Sequence, residues 1–363
     1  MTLIEDLETP AVLVDLDVLE RNIARQAERA RAAGVKLRPH GKTHKTPEIG
    51  RMQLTAGASG LTLAKTGEAE VFADSGFDDL FLAYPIVGAD KAKRLLALSD
   101  RIRLRVGADS VEGAATLSPA FGAAGRRLGV LLKIDTGLHR VGVAPERALE
   151  TALRIAELPG IELAGIFTHA GHAYRQETPE GIEAVARSEG EILVAAAEVL
   201  RREGLAISEL SVGSTPTAAH AMKVAGVTEC RPGNYVFHDL SQVSLGACAL
   251  SDCALTILAT VVSVAVPGHA VLDAGSKTLS TDPLRPRASG HGLVQGGASR
   301  LSSLSEEHGV VEIGPGESFR VGQRVRVVPN HACVVTNLHD RIHAVRGGRV
   351  EAVWKVAARG RVD

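Results

Sequence analysis

Short apolar runs alternate with longer amphipathic stretches along much of the chain. The run from Ala11 to Leu16 suits a strand, and the apolar spacing from Val18 to Ala33 predicts a helix that ends at Gly34. Eight further strands are then predicted, each followed by a helical pattern. They cover Val35 to Arg38, Leu61 to Ala64, Leu80 to Ala83, Ile102 to Val106, Val130 to Ile134, Leu163 to Phe167, Leu210 to Val212 and Val227 to Cys230.

The alternation indicates parallel strands joined by right-handed crossovers. Eight such units can close a (β/α)8 TIM-type barrel, and a doubly wound open sheet is the alternative architecture. Unusual polar residues follow many of these strands: Lys42, Tyr84, Asp135, His139, His169, His172 and Arg231. The carboxyl ends of all strands share one face of a barrel, so this placement favours the barrel and puts the chemistry on that face.

From about Leu245 the pattern changes to short β-branched runs separated by glycine, with no helical period. These runs are Leu255 to Val266, Ala270 to Leu272, Val310 to Ile313, Arg324 to Val328, Val334-Val335 and Ile342 to Val345. They predict a second domain that is entirely β, without a low-complexity linker before it.

Composition narrows the class of protein. The chain has 363 residues, 45% hydrophobic and 23% charged, with a net charge of -1, which offers no field to attract nucleic acid or an anionic membrane surface. The N-terminus lacks a signal-like pattern and no apolar run is long enough to span a bilayer, so we expect a cytoplasmic protein. Four cysteines without framework spacing are expected to be thiols.

The stretch from Leu37 to Lys45, LRPHGKTHK, places a lysine just after the first barrel strand. A lysine that forms an imine with a cofactor aldehyde must lose its proton, and nearby cations with desolvation lower its pKa. Arg38, His40, His44 and Lys45 surround Lys42 in sequence. A solvated basic loop or a phosphate-holding patch is the alternative interpretation.

Two more strand ends carry candidate groups. The segment SVGSTPT, Ser211 to Thr217, follows a strand and precedes a predicted helix, so its glycine turn and hydroxyls suit a phosphate, although a simple helix cap has the same pattern. A second glycine turn, Pro232 to Tyr235, supports the phosphate interpretation. The segment THAGHAY, Thr168 to Tyr174, brings two imidazoles and a phenol that could hold a ring, a carboxylate or a proton, or bond only to backbone groups.

The segment PNHACVVTNLHD, Pro329 to Asp340, contains His331 and Cys333 two residues apart. On a strand such residues point to the same side, where an imidazole and a thiolate make half of a zinc site with positions left for water and substrate. A cysteine that is only a small core residue is the alternative.

Together LRPHGKTHK, SVGSTPT, RPGNYVFHD and PNHACVVTNLHD resemble the fold-type III pyridoxal-phosphate lyases, the group of D-serine dehydratase and D-threonine aldolase, related to alanine racemase. The resemblance covers nearly the whole chain and implies a homodimer. It implies an N-terminal strand segment, 1–16, packed with a C-terminal β domain, 245–363, and a pyridoxal-phosphate-binding barrel over 17–244.

The resemblance also assigns residues. Lys42 would hold pyridoxal phosphate, and His331 with Cys333 would bind a divalent metal, with zinc favoured over manganese or magnesium by the thiolate. The phosphate would contact Ser214, Thr215, Gly233 and Asn234, and Tyr174 would lie near the pyridine ring. We also expect His40, His169, Gly213 and Tyr235 around the cofactor, and His331 to take part in catalysis.

The implied reaction is β-elimination of a D-β-hydroxy-α-amino acid by a D-serine or D-threonine dehydratase, which Cys333 favours. Retro-aldol cleavage of D-threonine to glycine and acetaldehyde is the alternative. An amino-acid racemase or a non-catalytic pyridoxal-phosphate carrier is more distant, because neither needs a His-Cys metal pair.

Overall fold

The structure is a computed structural model that describes residues 2–283 and 290–363. The chain divides into two compact units. The β unit comprises Met1–Arg25, Thr43–Ile49 and Asn234–Arg359, and the barrel unit comprises Gln26–Lys42, Gly50–Gly233 and Gly360–Asp363. None of the helices formed by the described residues combines the length and apolar character of a membrane span.

The strands are numbered along the chain. They are β1 Ala11–Asp15, β2 Lys36–Leu37, β3 Leu61–Leu63, β4 Asp79–Pro85, β5 Arg103–Ala108, β6 Leu128–Lys133, β7 Ile161–Phe167, β8 Glu209–Val212, β9 Glu229–Cys230, β10 Leu255–Ser263, β11 His269–Leu272, β12 Gly292–Val294, β13 Arg300–Leu304, β14 Gly309–Glu312, β15 Arg324–Pro329, β16 Arg341–Arg346 and β17 Arg349–Lys355.

The helices are numbered in the same way. They are α1 Leu16–Ala32, α2 Pro47–Thr55, α3 Thr66–Asp74, α4 Ala89–Ser99, α5 Val111–Ala115, α6 Ser118–Ala123, α7 Ala148–Ala156, α8 Pro179–Arg202, α9 Ala218–Ala221, α10 Leu240–Ser244, α11 Ser276–Leu279 and α12 Ala332–Leu338.

The barrel unit contains an eight-stranded parallel sheet in the order β2-β9-β8-β7-β6-β5-β4-β3. A parallel bridge between His40 and Thr62 joins the two ends of this order, and Thr62 N–H donates to Pro39 O at 2.8 Å. The three apolar residues Val130, Leu131 and Leu132 of β6 are fully buried, as expected for parallel strands covered by helices on one side and a filled interior on the other. The barrel prediction is confirmed.

The β unit is built on a nine-stranded sheet in the order β11-β14-β13-β12-β15-β10-β1-β16-β17. An additional pairing of β10 with β11 closes the first six strands into a small barrel. Strand β1 lies beyond this closure, antiparallel to β10 and parallel to β16. The chain's first strand is therefore part of the β unit, as the family resemblance implied.

The last third of the chain is not entirely β, and the predicted strand at Val334-Val335 is wrong. Both valines lie in helix α12, and α11 is a second short helix in this region. The carboxylate of Asp239 accepts the Ala332 N–H at 2.9 Å and so satisfies a free donor in the first turn of α12. This acceptor comes from 93 residues earlier in the chain, where no local pattern reveals it.

Candidate active site

Lys42 lies at the carboxyl face of the barrel, in a 3-10 turn, Gly41–Thr43, that follows β2. The preceding His40 is nearly buried, and its Nδ1 lies 3.4 Å from the Lys42 backbone N. Its own backbone N–H donates to Pro232 O at 3.0 Å, just after the last barrel strand. The predicted imine lysine therefore lies where the first and last strands of the barrel meet.

Cations dominate the surroundings of His169, which follows β7. Burial lowers the pKa of His169 well below its usual range, and the charges of Lys42, Lys133, Arg231 and Arg140 lower it further. The imidazole is therefore neutral at physiological pH. Lys42 and His169, both predicted site residues, are therefore close enough for the charge of Lys42 to lower the pKa of the imidazole.

Lys133 is a site residue that the sequence interpretation missed. It ends β6, its side chain is almost fully buried, and its ammonium lies 5.6 Å from the centre of the Phe167 ring. Among the described residues its ammonium makes no hydrogen bond or ion pair. Burial lowers the pKa of Lys133 to about 8, with Arg140, Arg231 and Lys42 contributing in the same direction. The sequence feature that could have identified Lys133 is a lysine at the end of an otherwise apolar strand.

Arg231 is the second missed residue, because its position after the last barrel strand did not by itself indicate a role. Its Nε–H donates to Ser211 Oγ at 2.7 Å, and its guanidinium also donates to Thr168 O. The guanidinium carbon lies 5.2 Å from the Phe167 ring centre. Arg38, in contrast, donates to Glu229 and Asp79, each at 2.7 Å, so two carboxylates compensate its positive charge.

Hydrogen bonds inside the protein fix the predicted phosphate-binding turn after β8. Gly213 adopts φ +108 and its N–H donates to Glu189 Oε1 at 3.0 Å, while Ser214 N–H donates to Thr217 Oγ1 at 3.0 Å. Glu189 Oε2 accepts the Thr217 hydroxyl at 3.1 Å. Two backbone donors of the expected cradle are therefore used inside the protein, and the Ser214 hydroxyl lies 3.0 Å from Thr217 Oγ1.

Glu189 was also missed. It lies on α8, is completely buried, and accepts a further hydrogen bond from Ala170 N–H at 3.1 Å. Burial raises the pKa of Glu189, and the bonds from Gly213, Thr217 and Ala170 oppose that effect. One carboxyl group thus links the His169 segment to the glycine turn.

The remaining predicted cofactor residues divide between the two units. Tyr174 is half-buried in a 3-10 turn, Gly171–Arg175, of the barrel unit, and Gly233 is buried in the same unit. Asn234 and Tyr235 open a buried 3-10 turn of the β unit. The Asn234 amide donates to Asp239 at 2.6 Å and lies 3.6 Å from Cys333 Sγ, so this side chain contacts the predicted metal ligand.

His331 and Cys333 are brought together, but by a helix and not by a strand. His331 is extended, with φ -142, and precedes α12, and Cys333 is the second residue of that helix. Each side chain is close enough to shift the pKa of the other. The expected geometry on one side of a strand is wrong, because the chain turns into helix α12 directly after His331.

The two side chains also adjust each other's charge. Burial alone raises the pKa of Cys333, but the attraction and hydrogen bond of His331 outweigh it and lower that pKa. Burial lowers the pKa of His331, whereas Cys333, Asp239 and Asp282 together raise it to about 10. The pair therefore favours a thiolate, which is the form of cysteine that binds metals.

The pair supplies two metal ligands, and the described residues contain no group of three or more histidine, cysteine, aspartate or glutamate side chains arranged for a metal ion. A zinc ion bound by His331 and Cys333 would keep positions for water or substrate, as catalytic metal sites do. The donor set fits a divalent metal.

A parallel eight-stranded barrel with a lysine at its carboxyl face, followed by a β unit that includes the first strand, defines the class of alanine-racemase-like enzymes. Residues 14–241 match the family model described as "Alanine racemase, N-terminal domain", and residues 254–345 match that described as "Putative serine dehydratase domain". The chain belongs to the family that combines these two domains, and it is a lyase.

Individual relatives are similar along almost the whole chain. The chain is 40% identical over 347 residues to D-threo-3-hydroxyaspartate dehydratase of Delftia sp. (strain HT23), covering 90% of this chain and 91% of that protein. It is 32% identical over 360 residues to D-threonine aldolase of Arthrobacter sp, covering 98% and 93%. The family supports pyridoxal phosphate as cofactor and a D-amino acid as substrate.

Two solved structures of D-threo-3-hydroxyaspartate dehydratase are similar in fold, each with a TM-score of 0.92 and 36% identity. They cover 98% of this chain and 96% and 99% of the solved chains. One is a variant with a histidine replaced by alanine, and the other, in a metal-free form, has a cysteine replaced by alanine two positions later.

Proposed function

We propose that this protein is a pyridoxal-phosphate- and metal-dependent dehydratase that converts D-3-hydroxy-α-amino acids into 2-oxo acids and ammonia, since the water lost by elimination is regained when the product imine is hydrolysed. The observation that carries the proposal is the placement of His331 directly before helix α12 and of Cys333 in the first turn of that helix. The relative with a metal-free cysteine variant is a dehydratase, and its two replaced positions have the same spacing. D-Serine, D-threonine and D-threo-3-hydroxyaspartate are the proposed substrates.

The barrel face suits an anionic cofactor bound through Lys42. Lys133, Arg140 and Arg231 add positive charge around that lysine, which attracts a phosphate ester and an amino-acid carboxylate. Pyridoxal phosphate, when bound, accepts the electrons released at the substrate Cα. The Ser214 hydroxyl, Thr215 and Gly233 are the proposed phosphate contacts, with Tyr174 beside the ring.

The protein's own groups move the protons. We assign Lys42 as the base that would take the Cα proton of the substrate. His169 is neutral, so it can accept or donate a hydrogen bond in this neighbourhood without adding another charge. The buried Arg231 stays in place through its bonds to Ser211 and Thr168 and presents a fixed charge.

The proposed metal site is His331 with Cys333. His331 and Cys333 would hold a divalent ion, which would supply Lewis-acid chemistry for the departure of the substrate β-hydroxyl. A thiolate ligand favours zinc, with manganese and magnesium as the alternatives. Within the β unit, Thr43 Oγ1 lies 3.3 Å from Cys333 Sγ.

D-Threonine aldolase chemistry is the second candidate. It is favoured by the 32% identity to the Arthrobacter enzyme across nearly the full chain. Both reactions use a lysine, pyridoxal phosphate and a metal. They differ in which bond breaks, since elimination removes the β-hydroxyl whereas the aldol route breaks the Cα–Cβ bond.

One experiment decides between them. The purified protein, loaded with pyridoxal phosphate and zinc or manganese, is incubated with each proposed substrate and the products are identified by mass spectrometry. The dehydratase proposal expects pyruvate from D-serine, 2-oxobutyrate from D-threonine and oxaloacetate from D-threo-3-hydroxyaspartate, each with ammonia. Glycine with acetaldehyde from D-threonine would establish the aldolase instead.

Two arms of that experiment test the site residues. Chelation should abolish turnover and added metal should restore it, and turnover that survives complete metal removal contradicts the role of His331 and Cys333. Lys42→Ala should lose the visible absorbance of bound cofactor, while Lys45→Ala, which alters a neighbouring lysine, should keep it.

The homodimer, the cytoplasmic location and the domain boundaries at residues 16 and 244 stay predictions. Sedimentation equilibrium of the purified protein would check the oligomeric state, with a single species at twice the monomer mass as the expected result.

A further inference from the structure

The predicted metal ligand His331 has a carboxylate on its other ring nitrogen. Asp282 Oδ2 lies 2.6 Å from His331 Nδ1. Because the carboxylate accepts the Nδ1–H, that nitrogen keeps its proton, and a metal would bind at Nε2 in place of the proton there. One side-chain contact thus selects both the tautomer and the direction of the ring.

Cys333 has further polar neighbours besides His331. Thr43 Oγ1 lies 3.3 Å and Asn234 Nδ2 lies 3.6 Å from the sulfur. Asp239 in turn fixes the Asn234 amide at 2.6 Å and the Ala332 N–H at 2.9 Å. The sulfur position is therefore defined by the turn and helix around it, whereas the ring of His331 depends on Asp282.

Because the His331 side chain is partly exposed, its orientation depends more strongly on Asp282. The His331 side chain is 38% exposed, so packing encloses its ring only in part. Asp282 is 44% exposed and forms no ion pair with lysine or arginine among residues 2–283 and 290–363.

We propose that Asp282 is a positioning residue that orients His331 toward the metal and thereby sets the metal affinity of the His331–Cys333 pair. The inference rests on the proposed function, since it requires that pair to bind a divalent ion. A carboxylate that orients a ligating histidine typically changes metal affinity by about 10- to 100-fold.

The test measures metal binding directly. Metal-stripped protein that retains pyridoxal phosphate is titrated with zinc and with manganese in competition with a chromophoric chelator. Asp282→Ala should weaken binding about 10- to 100-fold, and Asp282→Asn, which keeps an acceptor oxygen without the charge, should lie between Asp282→Ala and the unaltered protein. Asp17→Asn, at an exposed ion pair with Arg346, is the control and should bind like the unaltered protein.

Cobalt absorption supplies a second signature. Cobalt bound through Cys333 gives a thiolate charge-transfer band, which should persist in Asp282→Ala at saturating cobalt while the ligand-field bands shift with the altered imidazole. Circular dichroism shows whether each variant is folded, and Asp282→Asn, which has the same size as the native residue, replaces Asp282→Ala if that variant does not fold.

The two proposals fail in different ways. If His331→Ala and Cys333→Ala bind zinc as tightly as the unaltered protein, the metal site itself is wrong. If those variants lose zinc but Asp282→Ala and Asp282→Asn both keep full affinity and unchanged cobalt spectra, only the role of Asp282 is overturned.

Discussion

Lys133 illustrates what a single residue contributes to this barrel. Its buried ammonium is close enough to Arg140, Arg231 and Lys42 for their charges to lower its pKa, and Asp109 is the opposing charge. Without a hydrogen-bonded partner among the described residues, this charge destabilises the protein by itself. The site has therefore placed positive charge where an anionic cofactor and substrate would compensate it.

Replacing Lys133 by methionine should stabilise the ligand-free protein. Lowering the pKa of Lys133 from 10.5 to about 8 corresponds to a penalty on the order of 2 to 3 kcal/mol at pH 7. Between pH 8 and 10.5 the unfolded lysine binds more protons than the folded one, so the unaltered protein gains stability as pH rises. The advantage of Lys133→Met, measured by urea unfolding, should shrink across that window.

The control for this measurement is Lys93→Met, because the Lys93 side chain is 77% exposed. It should change the free energy of unfolding by less than about 0.5 kcal/mol at every pH. A Lys133→Met variant that is less stable than the unaltered protein at pH 7 would contradict the buried-charge argument.

At the scale of elements, the turn after β8 combines a strained backbone with a close contact. Gly213 has φ +108, and a Cβ placed on it would lie 2.7 Å from Cys230 Sγ. The same turn depends on Glu189, which receives the Gly213 N–H. The glycine is therefore required by conformation and by space, and the helix α8 carboxylate keeps the turn in place.

Gly213→Ala should destabilise the protein by roughly 2 to 4 kcal/mol, from backbone strain together with the sulfur contact. Gly204→Ala is the matched control, because Gly204 has φ +85 and open space around it, and it should cost only about 1 kcal/mol. Adding Cys230→Ala to Gly213→Ala should recover part of the difference in a double-mutant cycle by urea unfolding. Equal losses for the two glycine variants would show that the sulfur contact is unimportant.

The predictions of strands and helices succeeded where the residues of a strand are uniformly buried. They failed where a hydrogen bond from a residue far away in the sequence determines the structure. The eight barrel strands lie within a few residues of their predicted positions, because buried parallel strands are continuous apolar runs bounded by turns. Strands β12, β13 and β17 were missed, and β17 alternates exposed and partly buried residues without a strongly apolar face. Helix α12 was missed because the carboxylate that accepts its first backbone N–H belongs to Asp239, which lies 93 residues earlier in the chain.

At the scale of the whole molecule, the first strand ties the two ends of the sequence into one unit. β1 pairs Val14 with Leu255 of β10 and with Ala344 of β16, and Val14 is completely buried. The β unit therefore includes residues from the start and the end of the chain, and it should unfold when this strand is disrupted.

Val14→Asp should lower the free energy of unfolding by at least about 3 kcal/mol, because it buries an unpaired carboxylate between two strands. Val353→Asp, at a residue of β17 that is 51% exposed, makes the same chemical change with an expected effect below about 1 kcal/mol. Circular dichroism during urea titration gives both values. Similar midpoints for the two variants would contradict the central position of β1.

The sequence by itself determined the barrel, the all-parallel order of its units and the residue types of the site, because hydrophobic period and strand-end chemistry are local properties. Only the tertiary structure decided how those residues are held. Asp282 reaches His331 across 49 positions and Asp239 reaches Ala332 across 93, while Glu189 joins two strand ends. Such contacts depend on the folded path of the chain, which no local pattern encodes.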